Sequence, residues 1–142
     1  MHKNKLSQSK AENKKIILGL ESFVDKKDAI YSLNMLLLYS MNSQFPFLLE
    51  NNEKIFQALS SYTQSLYPPK TEEQKEHLRT VIAIFRNLTM SPINLKYILG
   101  TSIFNLFVKI FNTRLDPECS KNIINIMIGL VKVGWNCNEI IN

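Results

Sequence analysis

The sequence predicts an all-α fold assembled from stacked helical units. Apolar residues recur again and again at helical spacing, and no stretch alternates convincingly at period two. Glycine supplies only 4 of 142 residues, where an ordinary chain has about 7%. Sheet-rich folds and phosphate-cradling loops both lean on glycine turns, so its scarcity favours helices with short connections. The periodic runs also begin and end at recognisable signals, among them Thr71, Asp116-Pro117 and Tyr67-Pro68-Pro69.

Taken in order, residues 1–12 lack apolar periodicity and are expected to form a flexible basic tail ahead of a helical domain over 13–142. Ile16, Ile17, Leu20 and Phe23 mark a first helix. Residues 25–28 offer a new start, and Ile30, Leu33, Met35, Leu36, Leu37 and Tyr39 follow on a longer helix. Residues 43–50 form a short segment broken by Pro46. Asn52 is the N-cap expected for a helix carrying Ile55, Phe56, Leu59, Tyr62 and Leu66. Tyr67-Pro68-Pro69-Lys70 stops it, because two prolines remove donors and push the preceding residue out of the helical region.

Thr71-Glu72-Glu73-Gln74 has capping-box form, with acids on the positive end of the helix dipole. Leu78, Val81, Ile82, Phe85 and Leu88 then recur at i, i+3, i+4, i+7 and i+10. Ser91-Pro92 opens a short helix through Leu95 and Ile98, and Gly100-Thr101 turns the chain again. Ile103, Phe104, Leu106, Phe107, Ile110 and Phe111 make the next apolar helix, with Phe104, Phe107 and Phe111 as its core stripe. Asp116-Pro117 is an N-terminus of the preferred kind, an Asp cap followed by a proline whose missing donor costs nothing. Ile123, Ile124, Met127, Leu130 and Val131 fill the last helix. Gly129 inside it costs about 1 kcal/mol relative to alanine, which points to close packing by a neighbouring helix.

The net charge of +5 is unevenly placed. Seven lysines fall within residues 1–27, against Glu12, Glu21 and Asp25; the remainder is nearly neutral. That tail suits a solvated segment, or diffuse attraction to nucleic acid or an acidic partner. The polar first fifteen residues lack the apolar run of a secretory signal. The most apolar stretch, 97–111, is too short for a bilayer and carries Thr101, Ser102, Asn105 and Lys109. Cys119 and Cys137, lone and widely spaced, read as reduced thiols of an intracellular protein.

The helices follow the order long, short, medium, long, short, medium, long. Residues 34–45 lie over 83–94 at an offset of 49, and Ile55, Phe56 and Leu59 fall on Ile103, Phe104 and Phe107 at 48. Leu88 and Leu130 end equivalent long helices, 42 apart. A recurrence of about 40–47 residues is the period of HEAT and armadillo arrays. The expected architecture is therefore a right-handed α-solenoid of about two and a half to three armadillo/HEAT-like repeats, with a non-repetitive bundle as the alternative. So few units leave their ends short of neighbours.

At Phe85-Arg86-Asn87-Leu88-Thr89-Met90-Ser91-Pro92-Ile93-Asn94 the pattern resembles an armadillo unit junction. Together with Ile17-Leu18-Gly19-Leu20-Glu21-Ser22 and the run from Ala29 through Leu38, it resembles the armadillo-like region of the ARID-bearing subunits of SWI/SNF and RSC/PBAF-type chromatin remodelling complexes. The similarity spans roughly residues 13–133 and rests mostly on apolar positions. The chain has no ARID domain, so DNA binding is not carried over. The resemblance implies a nuclear, non-catalytic scaffold whose partners are other protein subunits of such a complex.

No constellation for catalysis stands out. His2 lies in the tail, and His77 is placed on the exposed side of its helix beside Glu73 and Glu76. Glu72, Glu73 and Glu76 are expected to be dipole partners. No phosphate loop or nucleophile elbow occurs, and neither enzymatic activity nor a cofactor, metal or small-molecule substrate is expected. Arg86 and Asn87 interrupt an apolar helix end and are the leading partner-binding candidates. Asn87 is expected in the first place to bond the backbone of the following turn, satisfying a buried amide, with the partner contact as the second reading. Its repeat equivalents are Leu38 and Gly129, so no asparagine ladder exists. Trp135 is a third candidate, as a cap on the last helix or an anchor in a partner. Two alternatives to the scaffold remain: a nucleic-acid-binding module acting through the tail, and a general armadillo-type peptide adaptor.

Overall fold

The computed structural model describes residues 53–134, together with Asn34, Leu37, Leu38, Ser40 and Met41 ahead of them. The side chains of Lys54 and Ile55 are not described. Expectations for the tail, for the first helix over 14–23, for Ile30, Leu33, Met35, Leu36 and Tyr39, for residues 43–50, for the Asn52 cap, and for Trp135 and Cys137 lie outside these residues. All five complete elements are α-helices: α1 (Glu53–Leu66), α2 (Glu72–Leu88), α3 (Pro92–Leu99), α4 (Ser102–Asn112) and α5 (Pro117–Lys132). Asn34, Leu37, Leu38 and Ser40 are helical as well.

Local chemistry sets the helix ends. Thr71 caps α2, its Oγ1 accepting the Gln74 N–H at 3.1 Å. The reciprocal bond differs from the expected capping box. Gln74 Oε1 accepts from the Lys70 N–H at 2.7 Å, one residue before the cap. Asp116 caps α5 twice over, Oδ2 accepting from the N–H groups of Glu118 and Cys119. At C-termini the recurring device is a hydroxyl donating to the carbonyl three residues back. Ser65 donates to Tyr62, Thr89 to Arg86, Thr101 to Ile98 and Thr113 to Ile110. After α4, Arg114 takes the left-handed conformation, φ 51°, that commonly ends a helix and is usually left to glycine.

Packing pairs like with like. α1 lies against α2 and α4 against α5, while α1 also touches α4 and α2 touches α5. The short α3 packs on both α4 and α5. The core is continuous, from Phe56 and Leu59 of α1 through Leu78, Val81, Ile82, Ile84, Phe85 and Leu88 of α2 to Ile123, Ile126 and Leu130 of α5. Phe85 of α2 meets Phe107 of α4 edge-on with ring centres 5.3 Å apart. Phe56 of α1 meets Tyr97 of α3 at 4.8 Å. Such pairs add about 0.5–1.5 kcal/mol beyond the area they bury.

Three expectations need correction. Ile84, absent from the single stripe assigned to α2, is fully buried, because α1 and α5 both lie against that helix. In α5, Ile124 and Val131 were expected inside and are instead exposed, while Ile126 and Cys119 take core positions. Phe111 is only half-buried against the core. Gly129 does face a neighbouring helix, but an added Cβ would stand 3.4 Å from the Leu95 methyl carbons, ordinary van der Waals contact.

α2 and α5 are also joined by charge. Arg79 Nε donates to Asp116 Oδ1 at 2.9 Å, with Nη2 at 2.8 Å from the same oxygen. The guanidinium holds the Asp116 carboxyl below its usual range, burial opposing and the backbone N–H groups assisting. Stability from a carboxyl with a lowered native pKa is present above the unfolded value, about 3.9, and is lost as pH falls through the native one. Asparagine still caps a helix but carries no charge. Urea unfolding of Asp116→Asn should therefore show a deficit near neutral pH that vanishes in strong acid. A deficit independent of pH would contradict this. Gly129→Ala should stabilise by up to about 1 kcal/mol, read as a higher urea midpoint, because helix propensity improves without a clash.

Candidate functional site

Arg86 sits in the last turn of α2 with its side chain exposed, and Asn87 beside it is half-buried. Asn87 Nδ2 donates to Ser40 Oγ at 2.9 Å, across 47 residues of chain. Ser40 is buried, and its Oγ donates in turn to the Leu37 carbonyl at 2.7 Å. Arg86 Nη1 lies 3.3 Å from Asn87 Oδ1 as a donor, a long bond. The result is a relay from an exposed cation, through an amide and a hydroxyl, to the end of the preceding helical segment.

Asn87 therefore does not stitch its helix to the following turn. Asn94 does: it is fully buried in α3, and its Nδ2 donates to the Leu88 carbonyl at 2.9 Å. Asn94 follows Ser91-Pro92 at the third position of its helix, from where the short amide reaches back to the last carbonyls of α2. That position after a Ser-Pro start was the available signal. Asn87, pointing away from α3, is free to tie α2 backwards.

Around this relay lies an open groove of about 410 Å³, bordered by Leu37, Met41, Ala83, Arg86, Met90 and Asn122. Two exposed methionines stand on its rim. Met41 is 71% and Met90 67% exposed, and Leu38 also stands out into solvent. Met41 and Met90 are 49 residues apart and occupy matching turns. The Met41 N–H bonds the Leu38 carbonyl at 3.3 Å, and the Met90 N–H bonds the Asn87 carbonyl at 3.4 Å. Flexible thioethers suit a surface that adapts to what it holds. The structure brings Arg86 and Asn87 together; Trp135 lies outside the described residues.

His77 is not on a solvated face. It is half-buried, with Nδ1 3.2 Å from the Tyr62 hydroxyl of α1. Burial, assisted by the charge of Glu73, pushes that phenol above its usual range. Among the described residues no three His, Cys, Asp or Glu side chains are placed to hold a metal ion. Burial and the nearby Asp116 push the Cys119 thiol up to about 12, so it stays protonated and unreactive. A second groove, about 580 Å³, runs over the turn between α3 and α4 and has no titratable side chain in its lining. No described helix is long and apolar enough to cross a membrane.

No protein-family model matches the chain, and neither a curated protein nor a solved structure matches it.

The Asn87–Ser40 bond is testable by a double-mutant cycle on unfolding free energy. Asn87→Ala should cost about 1 kcal/mol, the usual worth of one such bond. Ser40→Ala should cost less once Asn87 is already alanine. Strict additivity would mean the two side chains do not interact.

Proposed function

We propose that the protein is a short armadillo-like α-solenoid acting as a non-catalytic scaffold that holds other protein subunits together. The pairing of like helices supports the solenoid. α1 against α4 and α2 against α5 are the neighbours that a unit of short, medium and long helices makes when it stacks on its own copy. The observation that carries the interaction reading is the groove at the end of α2. Exposed Met41 and Met90 border the Arg86–Asn87 relay there, and apolar side chains concentrated around a fixed polar group are what a protein-binding surface needs.

The setting we propose, a SWI/SNF- or RSC-type chromatin remodelling complex in the nucleus, rests on the sequence resemblance over roughly residues 13–133. Affinity purification of the tagged full chain from its native cells should recover a remodeller ATPase and core subunits. Recovery without them would overturn the setting. Arg86→Glu combined with Met90→Glu should reduce co-purification about tenfold or more, the loss of about 1.4 kcal/mol or more, while leaving the melting temperature in place. Unchanged recovery would overturn the role of the groove. The nucleic-acid alternative separates cleanly: it requires a steeply salt-dependent affinity that disappears when residues 1–12 are deleted.

A further inference from the structure

We propose that the outer face of α5 is a second docking surface, and that its occupant is an amphipathic helix of a partner protein with carboxylates along one flank of its apolar stripe. Ile124, Ile128 and Val131 fall at i, i+4 and i+7 and are 42%, 49% and 50% exposed. They form one aliphatic stripe rising about 10 Å along the helix. The described contacts of α5 come from α2, α3 and α4, which cover its opposite side along Cys119, Ile123, Ile126 and Leu130. Forty-two residues earlier, at the place the repeat reading makes equivalent, Ile82 of α2 is fully buried in a helix packed against α1 and α5. The stripe on α5 is thus a stacking face without a described neighbour. It is distinct from the Arg86 groove, whose lining residue Asn122 lies about 160° round the helix from Ile124.

Charge selects the occupant. Lys121 and Lys132 are both exposed and lie on the same flank of the stripe, roughly 60° and 80° round from Ile124 and about 16 Å apart along the axis. Glu118, three residues before Lys121, stands about 60° further round on the same side of the stripe and makes no ion pair with it. A partner helix seated on the three aliphatic side chains therefore gains by placing Glu or Asp opposite each lysine. A second copy of this chain fits poorly: antiparallel self-pairing of α5 sets Lys121 against Lys132 of the other copy, at both ends. A membrane surface fits poorly too, because the face has no aromatic residue and only two cations.

The test uses the full chain and a labelled, stapled helical peptide with leucine at i, i+4 and i+7 and glutamate along one flank. Its control has lysine in place of each glutamate. The glutamate peptide should bind about tenfold more tightly, the worth of two exposed ion pairs. Ile128→Glu should abolish binding, and Lys121→Glu with Lys132→Glu should reverse the preference towards the lysine peptide. All three residues are solvent-exposed, and circular dichroism verifies that the variants keep their helix content. Equal binding of both peptides, or no reversal, would overturn the proposal. So would a concentration-dependent dimer lost in Ile128→Glu, or preferential binding to phosphatidylserine-containing vesicles. A rise in peptide affinity on deleting residues 135–142 would assign the face to this chain's own C-terminal segment and overturn it equally.

Discussion

The buried carboxylate of Asp116 is the constraint on which the arrangement of the two long helices depends. One of its oxygens takes the first free N–H groups of α5, which fixes where that helix begins. The other takes the guanidinium of Arg79, two turns into α2, which fixes how α5 sits beside α2. Apolar contacts are non-directional, so packing alone tolerates small shifts of one helix along the other. A charged pair with a single geometry removes that freedom. Its value is register as well as energy, since the hydrogen bond to Arg79 outweighs the cost of burying the carboxylate.

With α5 held in that register, the rest of the core closes. Phe85 and Phe107 interlock across α2 and α4, Phe56 and Tyr97 across α1 and α3, and Leu95 comes to rest over Gly129. The same arrangement determines what is left over. A helix with neighbours on both sides needs a wide apolar arc; one with neighbours on a single side buries a narrow stripe and shows the remainder. α2 is the more polar of the two long helices in composition, yet it buries six apolar side chains where α5 buries four. Surface that could carry interactions therefore lies at the open side of α5 and at the seam where α2 meets the preceding helical segment.

Helix starts were the most legible part of the fold, because capping is local chemistry. Thr71 and Asp116 cap as their residue types demand, and Pro92 and Pro117 occupy first-turn positions where a missing donor costs nothing. The errors fall where the outcome depended on a distant residue. Asn87 and Asn94 are the same amide seven residues apart; the place of Asn94 after Ser91-Pro92 signals its short reach back, whereas nothing local announces the partner of Asn87. Ser40 settles it for one and the carbonyl of Leu88 for the other. His77, surrounded by glutamates in sequence, looks solvated until Tyr62 of α1 is placed against it.

The sequence by itself determined that the chain is helical, where most helices begin and end, and which residues are apolar enough to build a core. Periodicity and capping act within a few residues, so one strand of text contains them. Only the tertiary structure decided which part of the apolar surface of α5 is inside, sealing Ile126 and Cys119 and leaving Ile124 and Val131 open. Ile82 of α2 and Ile124 of α5 are the same residue type on the two long helices, one sealed in the core and one open to solvent. It also decided that Arg86 and Asn87 border a groove with Met41 and Met90. That assembly exists only once residues 40 and 87 are brought within a hydrogen bond of each other.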